Sequence, residues 1–189
     1  MEPLNAKNEM RRKLLALRKH EHDAHGAEDE ARFCAYVTAL PQYQTAETVF
    51  CYVSFGSEPL THALLARMRS DGKRVAVPRC EGGGVMKAKL VSSPDELQAG
   101  MYGILEPGAD APEVPFSEIS LAVVPCVACD RAGMRLGRGG GYYDRFLESS
   151  SAYSICLCYE ALLMPQVPRE AHDRAVNAVI TERGVYPKV

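Results

Sequence analysis

The chain has 189 residues, of which 47 % are hydrophobic and 24 % charged, and its formal net charge is -2. That length suffices for one full core and predicts a single domain over 1–189. The near-neutral balance gives no drive toward nucleic acid or an anionic membrane. No apolar run reaches the roughly 18–20 residues that span a bilayer. The opening "MEPLNAKNEMRRKLLALRKH" lacks the apolar segment of a secretory signal, which predicts a cytoplasmic protein.

Residues 6–19 read as a first helix with an apolar stripe from Met10, Leu14, Leu15 and Leu17. A second helix is predicted over 27–40, stopping before Pro41. His20, His22 and His25 fall between them, in a polar stretch that reads as a solvated helix junction. "ETVFCYVSF" (47–55) is a strand by its β-branched and aromatic content, and "PLTHALLARMRSDG" a helix ending at Gly72. "KRVAVPRC" and "GVMKAKLVS" read as strands, the second near an edge, and the glycines of "EGGGVMK" (81–87) as the hairpin turn between them. Ser93-Pro94-Asp95-Glu96 is a capping-box pattern for a short helix. From Gly100 to Ser117 the chain reads as a long ordered loop.

"ISLAVVPCVA" is nearly all apolar, the mark of a parallel strand buried on both faces. A helix over Tyr142–Ser149, the strand "AYSICLCYE" and a final strand "VNAVITE" follow. Strands alternating with helices predict an α/β fold, with a mostly parallel central sheet covered by helices on both faces. The seven cysteines are an odd number and argue against a disulfide framework. Cys126-x-x-Cys129 has the spacing of half a zinc site, but no second such pair exists. The cysteines therefore read as buried, reduced thiols.

The distinctive stretch is "RLGRGGGYYDRFL", Arg135 to Leu147. A buried strand, a glycine loop and a helix start together make an anion site, because free backbone N–H groups and the helix dipole point at the ligand. Arg135 and Arg138 add positive charge. A dinucleotide-binding fingerprint would need Gly where Tyr142 stands, and a P-loop would need Lys-Ser/Thr where Tyr-Tyr-Asp follows. Asp144, so close to a phosphate loop, has two readings. It is a ligand to a divalent cation set between it and the phosphates, or only a favourable acid in a first helical turn.

These residues resemble the 5-formyltetrahydrofolate cyclo-ligase (5,10-methenyltetrahydrofolate synthetase) family. Besides the glycine stretch, "KNEMR", "YVSFGSEPLTHALL", "GMYGILEP", "VVPCVACDRAGMRLG" and "HDRAVNAVITERGVY" match the family in order and position. The resemblance implies a three-layer architecture like that of the NagB/RpiA/CoA transferase folds. It implies an enzyme that uses ATP and magnesium to cyclise 5-formyltetrahydrofolate to 5,10-methenyltetrahydrofolate; separately, the chain is expected to be a monomer. ATP would be bound by Lys7, Arg11, Arg135, Leu136, Gly137, Arg138, Gly139, Gly140, Gly141, Tyr142 and Tyr143. The folate would be bound by Val53, Glu58 and the Arg138–Tyr142 segment, including Gly139, Gly140 and Gly141. Arg138 and Tyr142 would act at the reacting groups, and Asp144 and Asp173 would reach the magnesium. By residue type alone, Lys7 and Arg11 read as solvated helix charges, Glu58 as a helix-start acid, Val53 as core and Asp173 as a loop acid. A non-catalytic folate-binding protein on the same scaffold remains the alternative, and a general phosphosugar or CoA-type enzyme a third reading.

Overall fold

A computed structural model describes residues 3–187; Met1, Glu2, Lys188 and Val189, the ends of the expected 1–189 domain, lie outside them. The chain opens with α1 (Pro3–Ala39) and α2 (Pro41–Thr45), followed by β1 (Thr48–Cys51), α3 (His62–Ser70), β2 (Arg74–Gly82) and β3 (Val85–Leu90). Short strands β4 (Leu97–Ala99), β5 (Leu105–Pro107) and β6 (Glu113–Val114) precede β7 (Leu121–Val124). Then come β8 (Ala128–Asp130), β9 (Arg135–Leu136), α4 (Tyr142–Ser149), β10 (Tyr153–Leu157), β11 (Leu163–Met164), β12 (Ala178–Thr181) and β13 (Gly184–Pro187).

The main sheet has the order β13-β12-β10-β7-β1-β2-β3-β6. Its centre, β12 to β2, is parallel throughout. Antiparallel β13 closes one side, and β3 with β6 the other. The central strands are short and apolar, and every residue of β1, β7 and β12 is buried, as expected where helices cover both faces. From β1 the chain steps through α3 to β2 on one side. From β7 it steps through α4 to β10 on the other. Parallel crossovers are right-handed as a rule, so two running in opposite directions place their helices on opposite faces of the sheet. Phe50 of β1 stacks on Phe146 of α4 with ring centroids 4.6 Å apart, and Phe146 meets Phe116 edge-on at 4.8 Å. Helix α3 buries Leu64, Leu65 and Met68. The direction of winding reverses between β1 and β7, and ligands of open parallel sheets bind at such a point, beyond the carboxyl ends of the strands.

Several expected elements differ. The two N-terminal helices are one, 37 residues long. Its inward stripe runs 7, 11, 14, 18, 22, 26, 29, 33, 37, a helical spacing without interruption. The middle of that stripe is polar or small. Arg18 donates to the Cys126 carbonyl, His22 Nδ1 lies 3.2 Å from the Tyr159 hydroxyl, and Gly26 and Asp29 follow. An apolar-only pattern breaks there although the buried face does not, so the solvated junction at His20, His22 and His25 is a continuous helix. The "ETVFCYVSF" strand ends at Cys51, because the next residues fold back: Thr61 Oγ1 donates to the Tyr52 carbonyl and accepts from Ser54 N–H. "ISLAVVPCVA" is two strands, with the chain leaving the main sheet at Pro125 for the small sheet β11-β8-β9. "VNAVITE" is not the last strand, since β13 pairs back onto it. The Gly100–Ser117 loop contains β5 and β6. The expected hairpin is present, with Gly83 and Gly84 both at positive φ between β2 and β3.

Candidate active site

A cavity of about 700 Å³ opens at the switch between β1 and β7. Tyr52 and Val53 enter it from the end of β1, Pro125 and Cys126 from the end of β7, and the glycine loop from β9 into α4. All the residues assigned to ATP, folate or metal by the family resemblance line this one cavity: Lys7, Arg11, Val53, Glu58, Arg135 through Asp144, and Asp173.

The glycine loop is fixed by contacts at its edges. Gly141 sits at the N-cap of α4 with φ +67°, a conformation costing a side-chain-bearing residue about 1–2 kcal/mol. No side-chain hydrogen bond caps that helix start among the described residues. Arg11 Nε donates to the Gly137 carbonyl at 2.6 Å, and Arg145 donates to the Gly140 carbonyl at 2.8 Å and to Gly84 of the hairpin at 3.0 Å. Both arginines take loop carbonyls, leaving the loop to present its N–H groups.

Glu58 is buried, and the loop 52–61 positions it. Its Oε2 accepts the Phe55 N–H at 3.0 Å, and its Oε1 lies 3.4 Å from Arg138 Nε and 3.9 Å from Arg18 NH1. Burial pushes its carboxyl above the ordinary range, with Arg18 and then the Phe55 N–H pulling the other way. Arg138 is half exposed, and its guanidinium lies 5.9 Å from the centre of the Phe55 ring.

Lys7 is buried and donates to Glu170 at 2.7 Å and to Asp173 at 2.5 Å. Burial lowers its pKa, but the two carboxylates outweigh that and hold the ammonium above its ordinary value. Arg135 donates to Asp144 Oδ1 at 2.9 Å, and the same oxygen accepts Arg174 N–H. Asp144 and Asp173 therefore each bind a cation of the chain with one oxygen. The other oxygen of each accepts no hydrogen bond among the described residues. Hard carboxylate oxygens facing a cavity fit a magnesium ion. Glu170 and His172 bring further donors, with ligand atoms of Glu170, His172 and Asp173 within 4.8 Å of one another.

The sequence reading missed Arg18, Tyr52, Glu170 and His172. Arg18 NH2 and Arg135 Nε are buried donors with no hydrogen-bond partner among the described residues, and both side chains line the cavity. Unpaired buried donors call for an acceptor, which an anionic ligand supplies. Arg18 continues the Lys7–Arg11 helix face by two further turns, and that spacing was the available signal.

Fold and site together define an open α/β protein with a switch-point cavity lined by arginines and a glycine loop. The chain belongs to the 5-formyltetrahydrofolate cyclo-ligase family, whose profile matches residues 3–182; these are ligases of folate metabolism. It is 36 % identical over 149 residues to a 5-formyltetrahydrofolate cyclo-ligase of Mycolicibacterium smegmatis, covering 75 % of this chain and 77 % of that one. It is 30 % identical over 183 residues to the Escherichia coli K12 5-formyltetrahydrofolate cyclo-ligase, covering 94 % and 98 %. The NMR structure of Aquifex aeolicus 5,10-methenyltetrahydrofolate synthetase superposes with a TM-score of 0.86 at 28 % identity, over 96 % of this chain and 92 % of that one.

Proposed function

We propose that the chain catalyses the ATP- and magnesium-dependent cyclisation of 5-formyltetrahydrofolate to 5,10-methenyltetrahydrofolate, releasing ADP and phosphate. The observation that carries this reading is Arg138. It stands in the glycine loop yet reaches within 3.4 Å of Glu58. One side chain thus joins the phosphate loop to the buried carboxylate suited to an aminopyrimidine edge, so the two substrates' reacting ends meet beside it.

The chemistry needs that meeting. A formamide oxygen is a poor leaving group. Its attack on the terminal phosphorus of ATP expels ADP and makes it a good one. The folate N10 then adds to the formyl carbon, N10 loses its proton and phosphate departs, giving the methenyl bridge. No protein nucleophile is required. The protein aligns the phosphoryl group with the formyl oxygen and offsets the developing charge. In this reading the N–H groups of Gly139 to Tyr142, with Arg11, Arg135 and Lys7, hold the triphosphate. Glu58 and Val53 hold the pterin. Arg138 and Tyr142 flank the transferred group. Asp144 and Asp173 would hold magnesium, which when bound neutralises phosphate charge. The cysteines are all unpaired, in keeping with a cytoplasmic site of action. Only Phe55, Val85 and Leu105 are large apolar side chains left exposed among the described residues, which favours a monomer.

Purified protein mixed with 5-formyltetrahydrofolate, ATP and magnesium should develop the methenyl chromophore, with ADP in equal amount. Product formed at full rate without ATP overturns the mechanism. Tight folate binding with no turnover in the complete mixture selects the binding-protein alternative.

A further inference from the structure

The Cys126-x-x-Cys129 pair lacks a second such pair in the sequence, but the fold supplies one from another strand. Strand β10 lies beside β7 in parallel register, with Ile155 opposite Val123 and Cys156 opposite Val124. Continuing that register sets Cys158 beside Cys126. Cys156 and Cys158 are two residues apart and share one side of the strand. Cys129, from β8, completes the group. The Sγ atoms of Cys126, Cys129 and Cys156 lie within 4.8 Å of one another. The Cys158 thiol donates to the Tyr159 carbonyl at 3.5 Å, outside that trio, and its place beside Cys126 rests on the strand register. All four are buried. We propose that Cys126, Cys129, Cys156 and Cys158 form a tetrahedral site for a thiophilic divalent ion, zinc, in the floor of the cavity.

Zinc–thiolate bonds of about 2.3 Å put tetrahedral sulfurs about 3.8 Å apart. The three mutually close sulfurs therefore need to draw together by about 1 Å or less. Binding releases four thiol protons to solvent and leaves two net negative charges on the cluster. The surroundings suit that charge. Buried Arg18 donates to the Cys126 carbonyl at 3.0 Å, which sets a guanidinium beside the cluster. Cys126 also lines the cavity, which gives the ion a way in. Soft thiolates select zinc over magnesium, so this site does not compete with the carboxylates of Asp144 and Asp173. Zinc here would tie the neighbouring ends of β7 and β10 to the small sheet.

The test uses the full-length, reduced protein, stripped of metal and titrated anaerobically with Co²⁺ and then Zn²⁺ in excess magnesium. The expected result is one Co²⁺ per chain, with thiolate charge-transfer and intense tetrahedral ligand-field bands. One equivalent of Zn²⁺ should bleach these bands and raise the thermal midpoint. Cys129→Ser and Cys156→Ala should abolish the bands, Cys158→Ser should weaken Co²⁺ binding at least tenfold, and Cys34→Ser should leave the bands unchanged. If a variant does not fold, alkylation of the parent, at a denaturant concentration where these buried thiols react in the metal-free protein, settles the point: added Zn²⁺ should protect these four cysteines and leave Cys34 reactive. Absence of the charge-transfer band, its survival in folded Cys129→Ser, or unprotected thiols in the parent overturns the proposal. So does air oxidation to a Cys126–Cys129 disulfide in a reduced protein that binds no Co²⁺.

Discussion

Glu58 concentrates the tension of the site in one side chain. Its carboxyl is raised by burial, yet it is held by an N–H at 3.0 Å and a guanidinium at 3.4 Å. Glu58→Gln keeps the shape and removes the second acceptor oxygen that an aminopyrimidine edge requires. Folate binding should weaken by about 1–3 kcal/mol while ATP binding holds, read by calorimetry with each ligand alone. Equal folate affinity in the two proteins would return Glu58 to a local role in the 52–61 loop. Lys7 invites a different measurement. Burial works against the Asp173 carboxylate, but Lys7 and the Glu170 N–H outweigh it and hold Asp173 below its ordinary range. A depressed folded pKa gives stability that is complete above the unfolded value of about 3.9 and lost as pH falls through the folded one. The raised pKa of Lys7 gives stability present below about 10.4 and lost at higher pH. Lys7→Met should therefore cost on the order of 3 kcal/mol at neutral pH and move the acid-unfolding midpoint upward. An unmoved midpoint would show that the pair adds nothing to folding. Before the fold is known, Lys7 is one of many helix cations. Its partners lie 163 and 166 residues away, a separation no local pattern encodes.

At the scale of elements, the small sheet β11-β8-β9 frames the site from below, and one buried carboxylate organises it. Asp130 accepts from Ala132 N–H and Met134 N–H at 3.0 Å and from Val167 N–H at 2.9 Å. The turn it holds brings Gly133 against Val176, where a Cβ would fall 2.3 Å from the Val176 carbonyl oxygen, at φ +80°. Gly56 has a similar φ, +62°, with open space around it. Gly56→Ala should cost only the left-handed penalty of about 1–2 kcal/mol. Gly133→Ala must also displace backbone and should cost clearly more, in denaturant unfolding of the two variants side by side. Equal costs would mean that the turn relaxes freely. The sheet itself was hidden from the sequence. "ISLAVVPCVA" is apolar throughout because both of its strands are buried, and periodicity cannot show where one sheet ends and another begins. Pro125, which cannot donate to a ladder, marked the break. By contrast, α4 and the 83–84 hairpin are readable, because glycines open the first and form the turn of the second.

The whole molecule was legible where burial is apolar and opaque where it is polar. Parallel strands rich in Val, Ile and Ala announce a doubly covered sheet, and the glycine loop after one of them announces a switch-point ligand. The long N-terminal helix was cut in two because its middle turns face inward with Arg18, His22, Gly26 and Asp29. Arg18 was overlooked for the same reason: a buried arginine looks like a surface one until its partners are known.

That helix is roughly 55 Å long at 1.5 Å per residue. Phe33 and Val37 anchor one end in the core, and Lys7 and Arg11 deliver the other to the cavity. Between them, Asp23, Ala24 and His25 are exposed, a stretch where almost any substitution should pass unnoticed. A change of length there is another matter. One inserted residue rotates everything before it by about 100° around the axis, turning Lys7 and Arg11 away from Glu170, Asp173 and the glycine loop. Seven inserted residues restore the facing but carry both side chains about 10 Å past their partners. The surface of this segment is free to drift in composition, while its residue count is fixed by the reach from core to cavity.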